Sequence, residues 1–269
     1  MEQRHSPLLV VEQLNISIND APKVQNLSFT LHAGECLCLL GASGSGKSLT
    51  AAALLGTLPT HASVSGSIRL LGKQLAGVHL QQRGTLPLAA IFQNPFSALN
   101  PLVTIGHQLI MVLRYQRALS REDANRCASD MLQMLGLPPQ QILTRYPGQL
   151  SGGQCQRICV AIALASQPAL LIADEPTTAL DTVSQRQLLD MLRQFSQQPG
   201  APAQLFITHD LSVAAGLCQR ALVLAQGRLV ESGSLKALIQ QPKHHYTQQL
   251  VAAAYPQRRT NSLPLQQVS

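Results

Sequence analysis

The chain has 269 residues, 45% hydrophobic and only 12% charged. That is apolar material for a substantial core without disulfide or metal staples, and it argues against a disordered or fibrous protein. The 20 Lys and Arg outnumber 13 Asp and Glu for a net charge of +7. This permits contact with nucleic acid or an anionic membrane, but the charges are dispersed, Arg258-Arg259 being the nearest thing to a basic cluster. With 3% aromatics and no Trp, platforms for stacking bases are poor. Apolar stretches such as Ala161–Ala165 and Ala169–Ala173 are too short to cross a bilayer, and the opening MEQRHSPLLV lacks the apolar run and cleavage site of a signal peptide.

In chain order, Leu8–Ile18 alternates loosely and Val24–Leu31 more cleanly, the period of strands. Glu35–Leu40 is continuously apolar after its opening glutamate, as a strand buried on both faces must be, and ends at Gly41. Lys47–Leu58 has helix-forming composition and is predicted to stop at Pro59. Ser67–Leu71 reads as another short strand. From about Asn94 to Gly153 helical spacing takes over, in Ile105–Leu119 and in Arg121–Leu137, the latter capped by Ser120. Buried strands return at Ala169–Ala173 and Gln204–Thr208. Ala221–Ala225 and Arg228–Glu231 flank Gln226-Gly227 as a hairpin. The interleaving predicts an α/β core with a parallel sheet, interrupted by a helical insertion. Six cysteines (Cys36, Cys38, Cys127, Cys155, Cys159 and Cys218) form no C-x-x-C pair and sit mostly in apolar runs, the pattern of small core residues in a reducing cytoplasm.

Gly41-Ala42-Ser43-Gly44-Ser45-Gly46-Lys47-Ser48 fits G-x-x-x-x-G-K-[ST]. Its glycines let backbone N–H groups turn inward around phosphate oxygens, and the following helix N-terminus adds positive potential. Lys47 would reach the β- and γ-phosphates, and the Ser48 hydroxyl would ligate Mg²⁺. Downstream, the apolar run Leu170-Leu171-Ile172-Ala173 ends in Asp174-Glu175. Asp174 is placed to bind Mg²⁺ through water, and Glu175 to orient or deprotonate an attacking water. Alone, two acids at a strand end would be a solvated loop; with the phosphate loop upstream they complete a nucleotide hydrolase.

Leu150-Ser151-Gly152-Gly153-Gln154 decides between the classes of such enzymes. Read alone it is a helix start or an anion site. In this chain it resembles the LSGGQ signature of the ATP-binding-cassette family. Gln93 after Ile91-Phe92, Ala179-Leu180-Asp181 after the two acids, and His209 in Ile207-Thr208-His209-Asp210 match that family in the same order, over about residues 8 to 250. The resemblance implies a P-loop NTPase fold with a mainly parallel core sheet, an N-terminal antiparallel β subdomain and a helical insertion. Its parts would be an ATP-binding core at 1–93 and 154–235, a helical signature subdomain at 94–153 and a tail at 236–269. It implies a two-subunit ATP sandwich. Lys47, Ser48, Gln93, Asp174, Glu175 and His209 would face one nucleotide, with Ser48, Gln93 and Asp174 around Mg²⁺ and Glu175, His209 and Lys47 in catalysis. Ser151, Gly152, Gly153, Gln154 and Asp181 would act on the nucleotide of the partner.

One departure concerns the base. Family members carry an aromatic near the end of the first strand pair that stacks on adenine. Here no Phe, Tyr or Trp precedes Phe29, and the matching stretch is Asn15-Ile16-Ser17-Ile18-Asn19. Ile18 replaces stacking worth about 1 kcal/mol, so nucleotide affinity or base selectivity is expected to be weaker, with hydrolysis retained.

Two segments resemble the peptide and nickel importer subfamily. Gln93-Asn94-Pro95-Phe96-Ser97-Ala98-Leu99-Asn100-Pro101 is similar to its QxPxxxLNP stretch, and His244-His245-Tyr246-Thr247-Gln248-Gln249-Leu250 to its H-x-Y-T-x-x-L tail. Adjacent His244 and His245 alone do not make a metal site. The absence of a Cys-containing extension before Ser269, and Leu49-Thr50 after the phosphate loop, most resemble the smaller nickel-import ATP-binding subunits. Nickel, free or chelated, is therefore the expected cargo, with dipeptides or oligopeptides as the alternative. The implied partners are a second, related ATPase, two membrane permeases and an extracytoplasmic substrate-binding protein, at the cytoplasmic face of the inner membrane. A cassette ATPase acting on DNA or ribosomes is the alternative of another class. It is disfavoured because no coiled-coil insertion, zinc-binding Cys pair or tandem cassette is visible.

Overall fold

The computed structural model describes residues 6–77, 86–178 and 180–256. The chain opens with the antiparallel pair β1 (Leu9–Ile18) and β2 (Ala21–Leu31). Between them Asn19 and Asp20 both take positive φ, the backbone of a tight two-residue hairpin. The loose alternation of β1 has a local cause. Its pairing with β4 (Ala62–Leu70) shifts register between Glu12 and Asn15. There Gln13 stands at φ 48 against Gly66, where a Cβ would lie 2.4 Å from the Gln13 carbonyl oxygen. Expected at Ser67, β4 begins instead at Ala62, because it continues to pair along β1 as far as Ile18. With β5 (Lys73–Gln74) these strands form a sheet of order β2-β1-β4-β5.

The second sheet comprises β3 (Cys36–Leu40), β6 (Leu88–Ile91), β7 (Leu170–Asp174), β8 (Ala203–Thr208), β9 (Arg220–Ala225) and β10 (Arg228–Ser234). Their order is β10-β9-β3-β8-β7-β6, parallel throughout except for the β9–β10 hairpin at its edge. That hairpin turns at Gln226 (φ 49) and Gly227 (φ 79), as the sequence leads one to expect. Every residue of β3 is buried, and its two faces serve two cores. Leu37 and Leu39 join Leu170, Ile172, Leu205 and Ile207 in a cluster with the antiparallel sheet and helix α1 (Lys47–Leu55). Cys36, Cys38 and Leu40 join Leu171 and Phe206 in the cluster on the other face. A strand buried twice has no polar face to alternate with, so its sequence is continuously apolar.

α1 stops before Pro59. Gly56 takes φ 75, and the N–H groups of Gly56 and Thr57 close onto the Ala53 and Ala52 carbonyls, a glycine C-cap. The insertion runs through α2 (Pro95–Ala98), α3 (Ile105–Arg117), α4 (Arg121–Met134) and α5 (Pro139–Ile142) into α6 (Gly152–Ala165). α3 and α4 carry buried stripes, Ile105, Leu109 and Leu113 on one and Ala124, Ala128 and Leu132 on the other. The Ser120 hydroxyl accepts the Asp123 N–H at 3.0 Å as the α4 cap. Both helices end a little earlier than their periodicity suggests, α3 at the left-handed Ala118 and α4 just before Gly136 (φ 66). α7 (Thr182–Ser196), α8 (Leu211–Leu217), α9 (Leu235–Gln240) and α10 (His245–Ala254) complete the chain. All six cysteines are free thiols; burial pushes Cys155 up to about 11 and Cys159 to about 12, which makes them inert core groups.

Candidate active site

β3 delivers the chain to Gly41, and its glycines are needed for different reasons. A Cβ on Gly41 would come within 2.4 Å of the Leu224 carbonyl oxygen, and one on Gly46 within 2.8 Å of a Val24 methyl. Gly44 and Gly46 also take positive φ, 77 and 101. The loop closes through Ser45 N–H to the Ala42 carbonyl at 3.2 Å, and the Gly227 N–H grips the Ser45 carbonyl at 3.2 Å. Among the described residues, the N–H groups of Ser43, Gly44 and Gly46 make no hydrogen bond. Unpaired amides at the head of α1 form a concavity suited to phosphate oxygens. Lys47, only 4% exposed, donates its ammonium to the carbonyls of Gly41 (2.9 Å) and Ala42 (3.0 Å).

The acids arrive on β7. Asp174 is the last residue paired with β8, opposite Ile207. Glu175 still donates its N–H to the Ile207 carbonyl but turns left-handed at φ 47, a conformation costing a non-glycine residue about 1 kcal/mol. That turn sends its carboxylate among three groups. Oε1 lies 3.7 Å from Lys47 Nζ, Oε2 accepts the Thr178 hydroxyl at 3.0 Å, and His209 Nδ1 stands 3.4 Å from Oε2. Asp174 accepts the Ser48 hydroxyl at 3.3 Å. Burial raises the Asp174 carboxyl above its ordinary pKa and the Glu175 carboxylate acts in the same direction, against the Ser48 hydrogen bond and the Lys47 charge. A carboxylate and a hydroxyl so placed are the oxygen donors a hard divalent cation takes. The Ser48–Asp174 pair therefore fits Mg²⁺.

The structure thus brings Lys47, Ser48, Asp174, Glu175 and His209 together. Gln93 sits exposed between β6 and α2. Ser151, Gly152, Gly153, Gln154 and Asp181 form a second cluster. Ser151 caps α6 through the Gln154 N–H (3.2 Å), and the Gln154 side chain accepts the Ser151 N–H (3.0 Å), a reciprocal capping box. Asp181 caps α7 by accepting the N–H groups of Val183 and Ser184, both at 3.0 Å, and the Ser184 hydroxyl at 2.7 Å. Those bonds, the Ser184 hydroxyl first, lower its pKa. Ser184 in turn faces Gly153, where a Cβ would lie 2.7 Å from its hydroxyl. Among the described residues no hydrogen bond or ion pair joins this cluster to the first. Ala179 of the Ala-Leu-Asp motif, like Arg258 and Arg259, lies outside the described residues.

Three supporting residues escape a motif search. Thr178 holds Glu175, Ser184 links Asp181 to Gly153, and buried Gln156 donates from α6 to the Phe92 carbonyl beside Gln93 at 3.3 Å. The first two lie three residues from the acid they serve, a spacing that could have flagged them. Replacing Ser151 by Ala removes the α6 cap and is expected to cost about 1 kcal/mol of stability, read as a lower urea midpoint at unchanged m-value.

A family model described as ABC transporter matches residues 24–178, which span the phosphate loop, Gln93, the Ser151 turn and both acids. The chain belongs to the ABC transporter family. Among curated relatives, the glutathione import ATP-binding protein GsiA of Escherichia coli (strain K12) is 42% identical over 262 residues, covering 91% of this chain. GsiA of Shigella boydii serotype 4 (strain Sb227) matches equally, at 42% identity and 91% coverage. The chain spans 42% of those proteins, less than half their length. Among solved structures, the dimeric post-hydrolysis state of the ATP-binding cassette MJ0796 bound to ADP and Pi superposes with a TM-score of 0.72 at 25% identity, covering 84% of this chain and 98% of that one. An ATP-binding subunit of an ABC transporter gives 0.73 at 24% identity over 94% and 98%, a likeness of fold. As an ABC transporter cassette the chain is a P-loop α/β protein with an antiparallel N-terminal sheet. No helix among its described residues is long and apolar enough to cross a membrane.

Proposed function

We propose that this chain is the ATP-hydrolysing subunit of a multi-subunit importer, peripheral to the cytoplasmic face of the membrane. The observation that carries the reading is the Glu175 carboxylate, held by Thr178 between Lys47 and His209 and beside the Ser48–Asp174 pair. In that reading Lys47 leaves its carbonyl partners for the β- and γ-phosphate oxygens. Glu175 accepts a proton from the water as its oxygen bonds to the γ-phosphorus, and the bond from that phosphorus to the β,γ-bridging oxygen breaks, its electron pair leaving on ADP. His209 orients that water and the γ-phosphate. Ser48, Asp174 and Gln93 would hold Mg²⁺, which would supply neutralising charge to the phosphate oxygens. The Ser151 turn, separate in one chain, completes the site of a partner cassette by offering its helix N-terminus to the γ-phosphate. In the closed pair Asp181 would connect the two sites across the interface. Closure driven by ATP, which binds the closed pair better than the open one, supplies the work. Two permeases and a substrate-binding protein complete the assembly.

For the cargo, similarity to proteins named for glutathione import favours a short peptide of that kind over nickel. The likeness of the phosphate loop and tail to nickel-import subunits keeps Ni²⁺ as the second reading. Uptake of labelled glutathione and of labelled Ni²⁺ in cells lacking this chain tests both. Loss of peptide uptake, restored by the wild-type chain and not by Lys47→Ala, is the expected result. Loss of nickel uptake alone would transfer the assignment to the metal. Unimpaired uptake of both would remove either cargo.

A further inference from the structure

The tail beyond β10 has a part in the phosphate loop itself. The Ala42 N–H donates to the Tyr246 hydroxyl at 2.6 Å, across 204 residues of sequence. That N–H belongs to the same planar peptide group as the Gly41 carbonyl, which accepts Lys47 Nζ at 2.9 Å. The next carbonyl, of Ala42, accepts Lys47 Nζ and the Ser45 N–H. One peptide plane is therefore fixed at one edge by Tyr246 and at the other by the lysine of the loop.

Tyr246 is itself well fastened. The two oxygens of Glu231, on β10, accept the N–H groups of Lys243 and His244, each at 2.9 Å. His244 Nδ1 accepts the Tyr246 N–H at 3.1 Å. Thr247 and Val251 bury the inner side of α10, and the Tyr246 ring packs on the core cluster. The β9–β10 hairpin that carries Glu231 also holds the loop directly, through Gly227 and Ser45. Hairpin, tail and loop together wall a cleft of about 770 Å³.

We propose that Tyr246 is a positioning residue for nucleotide binding: its hydroxyl fixes the Gly41–Ala42 peptide and so presents Lys47 and the loop amides in a receptive arrangement. This rests on the reading of the loop as the ATP site. Without the hydroxyl the peptide keeps only the Lys47 contact at its other edge, and once Lys47 turns to phosphate, binding must order it. The interaction is made alike before and during phosphoryl transfer, so it acts on affinity and not on the chemical step.

The test measures binding of a fluorescent ATP analogue with Mg²⁺ to the purified chain, together with steady-state ATP turnover of the assembled transporter that contains it. Tyr246→Phe keeps the ring and its packing. It is expected to raise Kd and KM by about two- to tenfold, the worth of one hydrogen bond, with kcat unchanged. Ala42→Pro deletes the donor N–H, and on that background Tyr246→Phe is expected to change nothing further. Wild-type affinity in Tyr246→Phe, a loss confined to kcat, or an equal effect on both backgrounds would each overturn the proposal. Lys47→Ala separates the two levels. If it loses the nucleotide while Tyr246→Phe does not, only the role of Tyr246 fails. If it binds as wild type, the reading of the loop fails with it.

Discussion

Glu175→Gln is expected to slow ATP hydrolysis by at least about 100-fold, the lower range for losing a positioned general base, while ATP binding survives or tightens. The geometry separates the two effects. Glutamine has the same shape and still offers an oxygen to the Thr178 hydroxyl, now 3.0 Å from Oε2, so the left-handed turn at residue 175 keeps its support. What disappears is the negative charge. With it go the capacity to take a proton from water, the attraction that draws Lys47 Nζ to 3.7 Å, and the repulsion a carboxylate exerts on an approaching phosphate. A protein that binds ATP normally but cannot spend it should accumulate in the closed, ATP-loaded dimer. Size-exclusion chromatography with and without MgATP reads that state directly, and a phosphate-release assay reads the turnover. Wild-type turnover in the variant would remove Glu175 from the role of base.

How much of this was legible in the sequence depends on the range of the interactions involved. The phosphate loop was legible because its constraints are local: Gly41, Gly44 and Gly46 are dictated by contacts and φ values within the loop and its immediate walls. The strands behind it were legible because burial on two faces forces a continuous apolar run, as in β3. Boundaries were less so. Pro59 reads as the stop for α1, yet Gly56 ends it first, because a left-handed glycine cap closes the last turn before the proline can interrupt it. The start of β4 is set by pairing with β1 through a bulge at Gln13, which no periodicity in β4 itself records. α7 carries Leu188, Met191 and Leu192 inward, with Leu189 and Phe195 packed on the same core, a helical spacing that is present in the sequence although the motifs on either side of it carry the stronger signal.

The site shows the same division. Lys47, Ser48, Asp174 and Glu175 fit chemistry that their neighbours already suggest. His209 beside Glu175 was expected only from its place in the order of motifs, since a lone His after a strand carries no signal of its own. The bond from Ala42 to Tyr246 joins the loop to the tail with nothing in either segment to announce the other. Cargo is hardest of all, since in the proposed assembly the ATPase need not touch it. Resemblance of the tail pointed to nickel, whereas the similar curated proteins are named for glutathione import; neither signal arises from a group that would hold the solute.

Lys47→Ala should weaken nucleotide binding severely without unfolding the chain. A hydrogen bond to a charged group is worth about 1.5–3 kcal/mol, so losing the ammonium from the phosphates is expected to weaken MgATP by about 10- to 150-fold. Transport, which needs hydrolysis as well as binding, should fall to background. Stability should fall by about 1–3 kcal/mol. Truncation strips Glu175 of a cation 3.7 Å away and the Gly41 and Ala42 carbonyls of their donor, and relief from burying an ammonium that is 4% exposed offsets only part of that loss. Titration calorimetry with MgATP and a urea denaturation curve on the same sample distinguish loss of a ligand contact from loss of the fold. Arginine is not expected to rescue: the pocket that holds Nζ between two carbonyls, at 2.9 and 3.0 Å, suits a compact point charge and not a planar fork. Set beside Glu175→Gln, the pair of variants resolves the site into its two functions. One variant should bind without turning over and the other should bind far more weakly, whereas equal binding by both would mean that the ammonium is held by the loop for structure and not for phosphate.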